Sequence, residues 1–263
     1  MLSVGLIASC ENKLDPIDRD TGIYGMYGAL DLNKQVNYIR VKDLNAEFTE
    51  AATENINAMV TFENLETGSI QTLESSKLEW EGIFLHNFIV NGSIEPDTRY
   101  RVTAERSDGV EVAIETLTPT KPVPEASPIN QDCYTPVTVA FAPTNGSTIG
   151  LKLGFLRGDT LWRVEQIVQA DQQNRNRISY TFVPQDELDL FPPGNVTIKC
   201  NELSESNVFV AYVHYSPGFY EKIENDPFDI LASTDRLGAL YQDTLTFPID
   251  TSRVCPQDCQ PEE

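Results

Sequence analysis

Apolar and polar residues alternate with a period of two along most of the chain from Tyr24 onward, the spacing of half-buried β-strands. The clearest case is the pair Arg99–Glu105 and Val110–Thr116. Tyr100, Val102 and Ala104 alternate with Arg99, Arg101, Thr103 and Glu105. Val110, Val112 and Ile114 then alternate with Glu111, Ala113 and Glu115. Between the runs lies Ser107-Asp108-Gly109, and Asp-Gly flanked by alternating hydrophobics is the strongest short-range hairpin signal. Val36–Val41, Ala58–Leu65 (closed by Thr67-Gly68) and Gly82–Val90 read as further strands. Helical periodicity is weak; Asn45–Asn57 reads as one short helix or a loop.

Residues 117–130 (LTPTKPVPEASPIN) carry four prolines among Ser, Thr and Glu. Proline lacks the N–H that a central strand needs, so this stretch is expected to be a stiff connector between domains. Strands resume at Thr135–Phe141, Thr148–Leu156, Leu161–Ala170, Arg177–Val183, Asn195–Cys200, Val208–Tyr215 and Thr244–Ile249. Residues 218–242 are less regular and read as a short helix or a long excursion. Short strands with turn signals every 8–12 residues predict an all-β fold built as β-sandwiches. The expected architecture is two sandwiches, immunoglobulin-like or transthyretin-like, at 24–118 and 131–263, joined by a Pro-rich linker at 119–130.

The length of 263 residues accommodates two such domains, and 40% hydrophobic with 22% charged residues is ordinary globular usage. Charge changes the picture more. Nineteen Lys plus Arg against 40 Asp plus Glu leave a formal net charge of −21. Such a surface repels phosphate backbones, so nucleic acid is excluded as a first reading. The acidity concentrates toward the C-terminus: residues 201–263 hold three Lys or Arg and twelve Asp or Glu.

The catalytic inventory is thin. Both histidines, His86 and His214, sit in strand-like runs beside aromatics, where a structural role is the expectation. No Gly-x-Ser-x-Gly elbow, His-Glu-x-x-His pair or phosphate-binding glycine loop occurs in the sequence. The reading is of a protein that is not an enzyme and needs no cofactor or metal. Tyr212, Tyr215, Phe219 and Tyr220 cluster in the sequence, and with Trp162 and Trp80 they are the candidate binding aromatics, able to stack on sugar rings or a protein partner. The competing reading places them in a sandwich core.

Five cysteines are an odd number. Cys133, Cys200, Cys255 and Cys259 all fall in the second half, and four cysteines allow three pairings that sequence does not separate. They are expected to form disulfides in an oxidising compartment. The three-residue spacing of Cys255 and Cys259, with no neighbouring His, argues against zinc. The fifth, Cys10, ends the run Ile7-Ala8-Ser9-Cys10, which resembles the lipobox of bacterial lipoproteins: an aliphatic residue, two small ones, then Cys. The resemblance implies cleavage before Cys10, a lipid on its sulfur, and palmitate or a similar acyl chain on its amino group. Residues 1–9 would be the end of a signal peptide whose basic start lies upstream. Residues 10–23, with Glu11, Asp15, Asp18 and Asp20, would be an acidic tether.

Lipobox, acidic leader, an N-terminal sandwich containing Arg99-Tyr-Arg-Val-Thr-Ala-Glu and Ser-Asp-Gly, then a second β-domain: this order resembles Bacteroidota cell-envelope lipoproteins. That resemblance implies an outer-membrane, lipid-anchored accessory or binding module, periplasmic or surface-exposed, with a TonB-dependent transporter as possible partner. A fimbrillin-like pilus or adhesion subunit is the structural alternative, and a secreted hydrolase a third class.

Overall fold

The computed structural model describes residues 23–44, 56–80, 83–127, 131–142, 148–157, 159–169, 178–189, 199–203, 207–217, 219 and 235–251. The leader with Cys10, most of the Asn45–Asn57 segment, most of the Asn195–Cys200 strand, Tyr220, Cys255 and Cys259 lie outside the described residues.

The chain is nearly all β. The first half forms β1 (Tyr24–Asp31), β2 (Val36–Asp43), β3 (Met59–Asn64), β4 (Ser69–Thr72), β5 (Glu74–Trp80), β6 (Ile83–Asn91), β7 (Arg99–Glu105) and β8 (Glu111–Leu117). The second half adds β9 (Pro124–Ser127), β10 (Gln131–Asp132), β11 (Val137–Phe141), β12 (Thr148–Arg157), β13 (Thr160–Gln169), β14 (Ile178–Phe182), β15 (Asn207–Tyr215) and β16 (Asp235–Asp250). A six-residue helix, α1 (Pro184–Asp189), and a 3-10 turn at Cys200–Glu202 interrupt the strands among the described residues.

The period-two reading is reproduced in the burial. In β7 Tyr100, Val102 and Ala104 are buried and their neighbours half-exposed or exposed. Its hairpin to β8 closes through Asp108-Gly109: the Gly109 N–H donates to the Arg106 carbonyl at 2.9 Å, and Gly109 takes φ 87°, a region L-residues avoid. Arg106 reaches across the turn to the Asp108 carboxylate at 2.6 Å, which holds that acid down at about 2.

Two cores result. The first lies between β1, β2, β6 and β16 on one side and β3 and β7 on the other, with Tyr24, Met26, Leu30, Ile39, Val60 and Val102 among its buried members. The second lies under β12, β15 and β16, faced by β11 and β14, around Val139, Phe141, Leu151, Leu153, Phe155 and Val210. Each fully buried side chain of this size contributes roughly 1.5–3 kcal/mol relative to exposure.

The cores are not separate sheets on a linker. A nine-stranded sheet runs β13-β12-β15-β16-β1-β2-β6-β5, with β10 pairing onto β16, and so spans both halves of the chain. The 16-residue β16 makes this possible. Its first part pairs in parallel with β1, from Met26↔Asp235 to Asp31↔Leu240. From Leu240 to Pro248 it pairs antiparallel with β15. Leu237 and Ala239 enter the first core, Phe247 and Ile249 the second, and Tyr241 packs against both. Residues 235–242, read from sequence as an irregular excursion, are therefore strand.

The proline-rich stretch also differs from a bare connector. Pro124–Ser127 forms β9, which pairs with β11 at the edge of a three-stranded sheet in the order β14-β11-β9. Pro124 is its first residue, one of the few strand positions where a missing N–H is tolerated. Thr118, Pro119 and Pro122 are buried, so the stretch is pinned at these points while Lys121 and Val123 face outward.

Gly238 sits where the sheet passes from one core to the other. A Cβ built there would lie 2.0 Å from the Phe219 ring, which is itself buried. The aromatic ring occupies the space of the missing side chain. Gly238→Ala is therefore expected to lower stability by about 1–3 kcal/mol, the cost of overpacking. In a Phe219→Ala background the same substitution should cost much less, and urea unfolding of the four proteins measures that difference.

Candidate functional site

Of the candidate aromatics, Tyr212 and Tyr215 lie on opposite faces of β15. Tyr212 is buried in the second core at 2% exposure, edge-on to Phe141 with ring centroids 5.2 Å apart. Its hydroxyl titrates well above the usual tyrosine range, because burial and then the nearby Tyr241 and Asp243 disfavour the phenolate. This corrects the expectation that Tyr212 faces a ligand: even-numbered residues of β15 point inward, as Val208, Val210 and His214 also do. Tyr215, three residues on, faces the opposite side of the strand and is half-buried. Trp162 pairs with Phe155 in the register of β12 and β13. Tyr220 lies outside the described residues.

Cys133 and Cys200, 67 positions apart in sequence, form a disulfide with Cα atoms 6.1 Å apart. Both are buried in the second core. Gln185 of α1 holds the two ends: its backbone N–H donates to the Cys133 carbonyl, and its side-chain Oε1 accepts from the Cys200 N–H, both at 3.0 Å. Beside it the Tyr180 hydroxyl donates to Glu187 Oε1 at 2.8 Å. Burial, then this carboxylate, pushes the Tyr180 hydroxyl up to about 12. Neither α1 nor the role of Gln185 carried a sequence signal, because six residues are too few for a periodic pattern.

His214 is fully buried, and its Nδ1 lies 2.9 Å from the Thr120 carbonyl. The next residue, Lys121, places its ammonium 5.5 Å from the Tyr241 ring centroid. Together these contacts lash the proline-rich stretch to the two central strands. On the other side of the junction Asp31, only 4% exposed, accepts from Asn33 N–H at 3.0 Å and Gln242 Nε2 at 3.3 Å, and faces Lys34 Nζ at 3.3 Å. Asn33 Nδ2 donates to the Gln242 carbonyl. The polar groups at the centre of the molecule thus fasten strand to strand.

His86 has a different setting. It is half-buried on β6 opposite Lys77 of β5, and its Nδ1 has no hydrogen-bond partner among the described residues. Burial, with Lys77 adding, holds the imidazole pKa below its ordinary 6.5.

The clearest surface feature is the outer face of β1 and β2. Val36 and Tyr38 are 40% and 54% exposed, and Arg40 is exposed beside them, its Nε 3.5 Å from Asn87 Oδ1. Lys42 continues the row on β2, and Tyr27 pairs with Arg40 on one side and with Arg236 on the other. Among the described residues Arg40 makes no ion pair, although the chain carries −21. The same sandwich's opposite outer face, on β3, β4, β7 and β8, carries four carboxylates, Glu63, Glu105, Glu111 and Glu115, against the two cations Arg99 and Arg101. Glu63 and Glu115 share Arg101 at 3.4 and 2.6 Å, while Glu105 and Glu111 form no ion pair among the described residues. Met59 and Ile70 are exposed on that face at 52% and 63%.

Among the described residues no group of three or more His, Cys, Asp or Glu is placed to hold a metal ion, and no helix is long and apolar enough to cross a membrane. No protein family and no curated protein matches the chain. Among solved structures it is similar to a pullulanase from Anoxybacillus sp. LM18-11, at 11% identity and a TM-score of 0.26 over 72% of this chain and 24% of that one. It is also similar to a tetra-tandem repeat from the extending region of a large adhesion protein, at 10% and 0.30 over 87% and 49%. A third is the fibronectin(III)-like modules of Clostridium thermocellum CbhA, at 10% and 0.26 over 86% and 93%. The chain spans about a quarter of the pullulanase and half of the adhesion repeat.

Two outcomes follow from this geometry. Replacing Cys133 and Cys200 by Ala should lower stability by about 4 kcal/mol in the loop-entropy account, read from the urea midpoint of the variant against the oxidised wild type. For His86 the folded pKa is depressed, so between that value and 6.5 the unfolded chain binds a proton that the native state does not. Stability should fall as pH drops from 6.5 and level off below the folded pKa; His86→Gln should flatten that part of the profile.

Proposed function

We propose that the protein is a non-catalytic binding or accessory module of a bacterial cell envelope, held at the outer membrane by lipid on Cys10. The observation that carries this reading is the sheet continuous through both cores. A nine-stranded sheet fastened at its centre by Asp31, Gln242, His214 and Thr120 holds surfaces at fixed orientation to one another. The titratable groups at that centre are engaged in structural hydrogen bonds, as expected of a scaffold. The Ile7-Ala8-Ser9-Cys10 run supports the anchor, and acyl chains on Cys10 would give stable attachment where one chain alone gives only marginal binding. A TonB-dependent transporter is the partner this reading favours.

The anchor is tested by mass spectrometry of the mature protein from its host with and without globomycin. The expected result is an acylated product starting at Cys10 that is lost on treatment; an unacylated protein in untreated cells would overturn the anchor. Crosslinking in native outer membranes then reads the partner, with recovery of a transporter expected.

A further inference from the structure

The two outer faces of the first sandwich are complementary, and we infer that the basic, aromatic face of one copy docks on the acidic face of the next. One face presents Val36, Tyr38 and Arg40, with Lys42 in line; the other presents Met59 in the row of Glu105 and Glu111, with Ile70 farther along in the row of Glu63. Each thus joins exposed apolar side chains to charge, and the charges are opposite. Arg40 is the better anchor because its guanidinium is steadied by Asn87 on the neighbouring strand. Arg40, an exposed cation with no ion pair among the described residues, meets its strongest attraction at another copy's carboxylates, and that attraction orients the encounter.

The geometry fixes the kind of assembly. The faces belong to the two sheets that enclose the first core, so they point in opposite directions. Contact between unlike faces is heterologous, and each added copy leaves one free face of either sign, so the array stays open. Four strands ~4.8 Å apart and about seven residues at ~3.3 Å give each face a footprint of roughly 19 by 23 Å. That is about half of the ~800 Å² per partner of a standard interface, so a single contact is weak and the array forms only at high local concentration. The inference does not depend on the lipid anchor.

The test uses the full 263-residue chain carrying Cys10→Ser, so that acyl chains cannot drive association. Sedimentation velocity from about 10 µM to 1 mM should show mass rising with concentration and falling back as salt shortens the Debye length from ~30 Å to ~3 Å. Arg40→Glu, and separately Glu105→Lys with Glu111→Lys, should each weaken self-association at least tenfold. An equimolar mixture of the two variants should restore it, because each then offers the charge the other lacks. All altered positions are at least partly exposed, and unchanged urea midpoints confirm that both variants fold. A wild type that stays monomeric to 1 mM would overturn the proposal. So would association that the variants leave unchanged, or binding of an anionic polysaccharide at Arg40 by a protein that remains monomeric.

Discussion

Everything in the fold depends on β16 serving two cores in succession. A strand of 16 residues is about three times the usual length, and here the extra length joins two sandwiches. Its early residues pair in parallel with β1, its later ones antiparallel with β15, and Tyr241 stands where the partners change. Parallel neighbours cannot be joined by a tight turn. The chain meets that constraint by letting β1, near its start, wait for β16, near its end. Around the exchange point the packing tolerates little freedom: Phe219 fills the space over Gly238, and Ser216 accepts the Ala239 N–H through its side-chain oxygen at 3.0 Å.

Much of this was legible in the residues. The hairpin of β7 and β8 could be read because Asp-Gly sits between two alternating runs, and both signals are local. β2, β3, β6, β12 and β15 were legible for a similar reason: each is a short run rich in β-branched, aromatic or alternating apolar residues. β1 was harder, since Tyr24-Gly-Met-Tyr-Gly-Ala-Leu-Asp breaks the alternation with glycines that the packing needs, Gly28 lying within 3.2 Å of Leu237 for any added Cβ. The early part of β16 was hidden likewise. Its strand character comes from β1, some 209 residues away at Met26↔Asp235, and no window of sequence contains both.

The candidate surface was less legible than the fold. Aromatic residues were sought by clustering in sequence, which pointed to Tyr212 and Tyr215; neighbours in a strand face opposite ways, and Tyr212 went inside. Tyr38 and Arg40 were passed over because an alternating strand shows which residues share a face but not which face meets water. Charge behaved similarly. The total of −21 describes the far field, whereas the unlike faces of the first sandwich appear only when β2 and β7 are placed on opposite sides of one core. The proline-rich stretch falls between the residues of the first core and those of the second, β16 aside, and its Pro124–Ser127 part is an edge strand rather than a bare connector.

The sharing of β16 also sets a clock on synthesis. The first core takes Leu237 and Ala239 from a strand that leaves the ribosome after more than four-fifths of the chain has been made. Until then β1 has one unpaired edge and the sandwich around it lacks part of one wall. The contacts that complete the N-terminal half are among the most distant in sequence, which makes closure slow and favours incomplete, loosely packed intermediates. A chain whose first half cannot lock until β16 arrives gains its rigidity late, and both cores then become rigid together.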